Sequence, residues 1–124
     1  MQRVIFQYDI GSSILSLDSN SSNTLIVGTQ DRVARLFHIN APFSMIGQTK
    51  NETMPVSNCV FYKESYLFTA GTDNLKVWNI ESDIIMTDNI ETGSKGILHM
   101  IVDDKVQQIA YCGGSLSYHE CLLT

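Results

Sequence analysis

Cys112, His119 and Cys121 lie near one another and are the residues most suggestive of metal chemistry. A structural zinc site needs four well-spaced ligands. Here His119 and Cys121 alternate with Glu120 on one expected strand, and no second cluster accompanies them, so no metal is expected. Serine, histidine and aspartate are all present, yet there is no Gly-x-Ser-x-Gly elbow to expose a nucleophile and no glycine-rich loop to cradle a phosphate. Gly113-Gly114 falls where a hairpin turn is due, and the positive φ of such a turn accounts for glycine there. Phe37, Trp78 and Tyr118 are candidates for an aromatic cage, but one ring per repeat reads as packing between adjacent sheets. The chain is therefore expected to be no enzyme and to carry no cofactor.

What positions these residues is a repeated unit. Gly28-Thr29-Gln30-Asp31 precedes Val33-Ala34-Arg35-Leu36-Phe37-His38, and Gly71-Thr72-Asp73-Asn74 precedes Leu75-Lys76-Val77-Trp78-Asn79. A third, worn copy runs Cys112-Gly113-Gly114-Ser115, then Leu116-Ser117-Tyr118-His119. Phe37, Trp78 and Tyr118 are spaced 41 and 40 residues apart, and the strand starts Ile14, Val56 and Ile97 are spaced 42 and 41 apart. A period near 40 built from short strands is the mark of propeller blades. Gly28, Asp31, Phe37, Gly71, Asp73, Trp78 and Tyr118 are its structural positions.

Each unit reads as an outer, an inner and two middle strands. The first uses 3–7, 14–18, 25–27 and 33–39; the second uses 43–48, 56–62, 66–70 and 75–80; the third uses 82–87, 97–102, 106–111 and 116–121. Pro42 and Pro55 fall in connections, where no ladder hydrogen bond is lost. No helical periodicity is sustained. The expectation is an all-β chain, 1–124, with repeats at roughly 3–39, 43–80 and 82–121. It should form eleven to twelve antiparallel strands in three four-stranded blades of an open, partial propeller. Counted from inner to outer strand, the last series stops at its third strand and lacks the fourth, which reads as the C-terminal part of a larger ring.

Lys plus Arg total 8 against 13 for Asp plus Glu, a formal charge of −5. Scattered basic residues in an acidic chain exclude a nucleic-acid surface and disfavour direct attraction to acidic partners. Cys59, Cys112 and Cys121 are odd in number and sit in or beside expected strands, as buried thiols do in a reducing compartment, although Cys112 and Cys121 could approach across a hairpin. The apolar stretch after Met1 is too short for a signal segment, and no run reaches membrane-spanning length, so a cytoplasmic protein without membrane contact is expected. The sequons Asn20-Ser21-Ser22 and Asn51-Glu52-Thr53 then read as chance matches in polar loops. Arg35 and Lys76 share one strand position and read as solvated or snorkelling side chains.

Phe37-His38 and Trp78-Asn79 stand in the Trp-Asp place of the WD-repeat (WD40) family, and Gly28-Thr29-Gln30-Asp31 and Gly71-Thr72-Asp73 in its Gly-Ser-x-Asp place, so the chain resembles that family over nearly its whole length. It departs at Tyr118-His119 and in lacking the Gly-His pair of each connection, which leaves Asp31 without a histidine partner. From Phe43 to Leu122 the order of words is similar to the last two blades of the WD-repeat, non-catalytic subunits of katanin. That resemblance implies a protein-binding scaffold that helps a katanin-type AAA ATPase act on microtubules, at spindle poles or basal bodies, without the helical domain that holds the ATPase. A generic WD-repeat adaptor in a ubiquitin ligase or trafficking complex is the alternative. By resemblance to how WD-repeat tops bind, the protein-binding rim would include Ser13, Gln30, Thr53, Thr72 and Lys95.

Overall fold

The computed structural model describes residues 7–40, 42–50, 52, 54–71, 75–90, 97–103, 108–113 and 118–122, of which 97–99, 103, 108–113 and 118–122 are described as backbone. Those residues form eleven strands and no helix: β1 Ile14–Ser19, β2 Thr24–Thr29, β3 Ala34–His38, β4 Ser44–Gln48, β5 Asn58–Tyr62, β6 Tyr66–Ala70, β7 Leu75–Asn79, β8 Ile85–Ile90, β9 Ile97–Asp103, β10 Gln108–Gly113 and β11 Tyr118–Leu122. Two antiparallel four-stranded sheets run β1-β2-β3-β4 and β5-β6-β7-β8, followed by a three-stranded sheet β11-β10-β9.

Local chemistry sets the hairpins. The Asn20 side-chain carbonyl accepts the backbone N–H groups of Ser22 and Thr24, both at 3.0 Å, and Asn23 takes a left-handed φ of 59°, which closes β1 onto β2. Lys63, at φ 55°, does the same between β5 and β6. Asn79 Oδ1 accepts the Glu81 N–H at 3.0 Å and turns the chain out of β7. The β2 sequence Thr-Leu-Ile-Val-Gly-Thr is apolar on both sides because Ile26, Val27, Gly28 and Thr29 are all buried.

The first two sheets share one register. Leu25 lies opposite Phe37 and Gly28 opposite Ala34; in the same order Leu67 lies opposite Trp78 and Ala70 opposite Leu75. Even the irregularities repeat, with bulges between Leu36 and Phe37 and between Val77 and Trp78 that set Met45 opposite Phe37 and Met86 opposite Trp78. Alternation then assigns the faces. Ile26, Ala34 and Leu36 of the first sheet meet Cys59, Phe61, Leu67 and Trp78 of the second in one core. Tyr62, Phe68, Ala70 and Leu75, on the other side of the second sheet, join Met100 of the third in another. The second sheet is therefore covered on both faces, and each fully buried Leu or Phe stabilises the fold by roughly 1.5–3 kcal/mol.

Polar contacts stitch the first seam. Cys59 Sγ lies 3.1 Å from Ser16 Oγ, and the Phe61 N–H donates to Asp18 at 2.9 Å. Gly28 comes so near Val56 that a Cβ there would sit 2.6 Å from the Val56 carbonyl oxygen, so the seam requires glycine. At the opposite end of the sheets, Ser21 and Ser22 of the β1–β2 turn both donate to the Glu64 carboxylate of the β5–β6 turn.

Four-stranded antiparallel sheets match expectation, but the sheets do not coincide with the sequence repeats. Ser44–Gln48, read as the head of the second unit, pairs with β3 and closes the first sheet; Ile85–Ile90 likewise closes the second. Val56, expected to open the inner strand, instead donates its N–H to the Thr29 carbonyl at 3.1 Å, so β5 begins at Asn58. The outer strand expected at 82–87 starts at Ile85, after the turn that Asn79 caps. Gln7 is not in a strand, and the rest of the expected 3–7 strand lies outside the described residues.

Candidate functional site

The sheet end that carries the β2–β3 turn gathers several connections. Ser13 and Gln30, both expected at the rim, meet there, with the Gln30 N–H donating to the Ser13 carbonyl at 3.0 Å and the Asp31 N–H to Ser12 Oγ at 3.2 Å. Both Ser13 and Gln30 are exposed. Thr53, Thr72, Asp73 and Lys95 lie outside the described residues, so the remaining rim candidates have no position here. Gly71 is buried at the end of β6, and Tyr118 opens β11 opposite Cys112.

Asp31 has a partner other than histidine. Arg35 grips its carboxylate in two places, Nη2 to Oδ2 at 2.6 Å and Nη1 to Oδ1 at 3.0 Å, while the same Nη1 donates to Thr29 Oγ1 at 2.8 Å. The guanidinium hydrogen bonds outweigh the cost of partial desolvation and hold the Asp31 carboxyl at about 2, below its ordinary 3.8. Arg35, in turn, is held above its ordinary value by the same bond. The β2–β3 turn is thus fixed by a fork-shaped ion pair.

In the second sheet the equivalent basic position is buried. Lys76, expected like Arg35 to be a solvated or snorkelling side chain, is only 9% exposed, and its ammonium lies 3.5 Å from Glu52, itself 4% exposed. The correction has a geometric cause: Lys76 shares a face with Trp78, and that face lies against the first sheet. A relay runs beneath it, with Trp78 Nε1 donating to Thr69 Oγ1 at 2.9 Å and Thr69 Oγ1 donating to Glu52 at 3.0 Å. The backbone N–H of Glu52 donates to the Arg32 carbonyl at 2.8 Å, and the connection is sewn further to the first sheet by Thr49 N–H on the Ala34 carbonyl at 2.9 Å. A buried charge pair of this kind stabilises little in total, but removing one partner strands the other.

Above the relay the seam opens into a cavity of about 440 Å³ lined by Lys50, Glu52, Lys76, Trp78, Ile84, Ile85 and Met86. Its floor is the indole of Trp78, its outer wall the start of β8, and its charged wall the connection between the sheets. No hydroxyl, thiol or imidazole belongs to these described lining residues; their polar groups are the ammoniums of Lys50 and Lys76 and the carboxylate of Glu52. Nothing in the sequence marked Glu52 as part of it; the available signal was the alternation that puts Lys76 on the face of Trp78.

Other reactive groups are engaged elsewhere. The free thiol of Cys59 is buried, and desolvation pushes it up to about 11. The register sets Cys112 opposite Tyr118 and Cys121 opposite Ile109, so the two thiol positions do not face each other across the β10–β11 hairpin. Among the described residues no three His, Cys, Asp or Glu side chains gather as a metal site requires, and the side chains of Cys112, His119 and Cys121 are outside that set. No helix of the described residues is long and apolar enough to cross a membrane. No protein-family model matches the chain, and no curated protein matches it.

Proposed function

We propose that this chain forms consecutive blades of a WD-repeat β-propeller and acts as a non-enzymatic protein-interaction scaffold, within a katanin-type regulatory subunit that targets microtubule severing. The observation that carries the reading is the second sheet, covered on its two faces by neighbours of the same kind through register-equivalent positions. A unit that cannot bury its faces alone and stacks on copies of itself works through shared surfaces. The katanin assignment rests on the ordered words from Phe43 to Leu122. Glu52, in a connection where that family has its Gly-His pair, takes over the polar link to Thr69 and Trp78.

The scaffold engages proteins, among them a katanin-type AAA ATPase complex, and reaches microtubules indirectly. A net charge of −5 opposes direct steering to the acidic microtubule wall, so another subunit supplies that grip. Affinity purification of the complete gene product containing this chain, followed by microtubule co-sedimentation, tests the reading. Recovery of a katanin-type ATPase with tubulin is the expected result. Recovery of ubiquitin-ligase or vesicle-coat subunits instead would assign the scaffold to a different assembly.

A further inference from the structure

We infer that the cavity at the seam of the first two sheets is a docking seat for a short peptide segment that pairs an aliphatic side chain with a carboxylate. The chemistry of its walls selects such a segment. Trp78, Ile84, Ile85 and Met86 supply its apolar lining, and Lys50 and Lys76 bring ammonium groups to the same cavity. Lys76 is engaged with Glu52, so the two charges at the buried end largely offset each other. Lys50 is exposed and gives the described lining residues an excess of one positive charge in a chain of net charge −5. An acidic group is therefore favoured in this place by local charge, against the net charge of the chain.

Two further features favour a peptide over a small enclosed ligand. The outer wall is open, since Ile85 and Met86 are 56% and 46% exposed, so a chain can cross the cavity and leave an anchor in it. The methionine position also recurs: Met45, set opposite Phe37 by the same bulge, is 49% exposed. Unbranched, polarizable methionine beside an aromatic ring is an adaptable contact for a partner side chain. At Met86 the connection between the sheets and Lys76 add the charged groups that complete a seat. The inference rests on the scaffold reading only for the expectation that the occupant is a protein.

Trp78 is the chain's single tryptophan and lines the cavity, so its emission reports occupancy directly. The 124-residue chain at submicromolar concentration is titrated with an acetylated hexapeptide of alternating leucine and glutamate. The leucine–lysine and serine–glutamate counterparts and decanoate serve as comparisons. A saturable emission change with the leucine–glutamate peptide is expected, weakened about tenfold by Lys50→Glu and about tenfold by Ile85→Ser, both at exposed positions. Equal binding of the leucine–lysine peptide, unaltered binding in both variants, or no emission change overturns the seat. Decanoate binding as tightly and in competition overturns the peptide in favour of a small amphipathic anion. In the complete gene product, retention of its partner despite Lys50→Glu and Ile85→Ser overturns the seat while leaving the scaffold reading in place.

Discussion

Gly28→Ala isolates the closeness of the first seam. The added Cβ would lie 2.6 Å from the Val56 carbonyl oxygen, 2.8 Å from Val56 Cγ1 and 3.1 Å from Ser16 Oγ. Two of these belong to Val56, in the connection that leads into the second sheet, and the nearest is backbone, so no rotamer change relieves it. Ordinary contact requires the Val56 carbonyl to retreat by about 0.8 Å, against a residue whose N–H is bonded to the Thr29 carbonyl. Overpacking of that kind costs about 3 kcal/mol at its upper end. Replacing glycine by alanine recovers about 0.4–1 kcal/mol by restricting the unfolded chain. The net loss is about 2 kcal/mol, or roughly 8 °C in melting temperature for a chain of this length. Urea unfolding followed by Trp78 emission, with thermal melts by circular dichroism, measures it. Ala70 supplies the control, because it occupies the equivalent register position and is accommodated with 1% exposure; Ala70→Gly should cost only about 1 kcal/mol. Val56→Ala removes the Cγ1 contact but leaves the carbonyl and costs core packing of its own, so a double-mutant cycle with Gly28→Ala should show a favourable coupling of less than half the loss. A Gly28→Ala protein that melts within a degree of the parent would refute the seam geometry.

Trp78→Ala should cost about 3–5 kcal/mol in urea unfolding, since it empties the first core and removes the donor to Thr69; an unchanged midpoint would place Trp78 at the surface. The Asp31 carboxyl has its folded value, about 2, below its ordinary 3.8, so its ion pair stabilises the fold above the higher value and is lost as pH falls toward the lower. With a carboxylate side chain 40% exposed the contribution is screened to about 1 kcal/mol or less, and Arg35→Met should flatten the acid limb of a stability–pH curve between those values. Cys59 runs the other way: its folded value is raised to about 11 from 9.0, so stability is complete below pH 9 and declines as pH rises toward 11. Peptide-mapped alkylation at pH 8 should find Cys59 unmodified until the chain unfolds. The face of the first sheet turned away from the second carries Leu17 at 62% exposure, and Ile46 stands 56% exposed on its outer strand. The chain should therefore associate as concentration rises, and Leu17→Lys should lower the mass seen by light scattering; a monomer at every concentration would refute this.

The strands were legible because two signals coincide in them, a 40-residue period and alternation between turn-forming residues. The alternation also put Arg35 on the face of Phe37, as the structure has it. Strand ends were less legible, since Val56 looks like any strand opener until its N–H is found on Thr29 of another sheet. The candidate site was the least legible part. Lys50, Glu52, Thr69, Trp78 and Ile85 come from four segments, and their meeting depends on how two sheets stack. Composition and local pattern are silent on that contact. Lys76 reads as a surface residue by type alone, and only the burial of its whole strand face overrides that reading.

Because β4 follows Asn40 in the chain yet closes the sheet that begins at Ile14, the covalent joint and the hydrogen-bonded joint fall in different places. A break in the backbone near Asn40 would leave the two pieces clasped, with β4 still bonded along β3 and bound to its own downstream sheet. Gene boundaries drawn at the sequence repeat would likewise divide a sheet rather than separate two. The unit that can be duplicated, swapped or trimmed without an orphaned edge runs from inner to outer strand, from Ile14 to Gln48 and from Asn58 to Ile90.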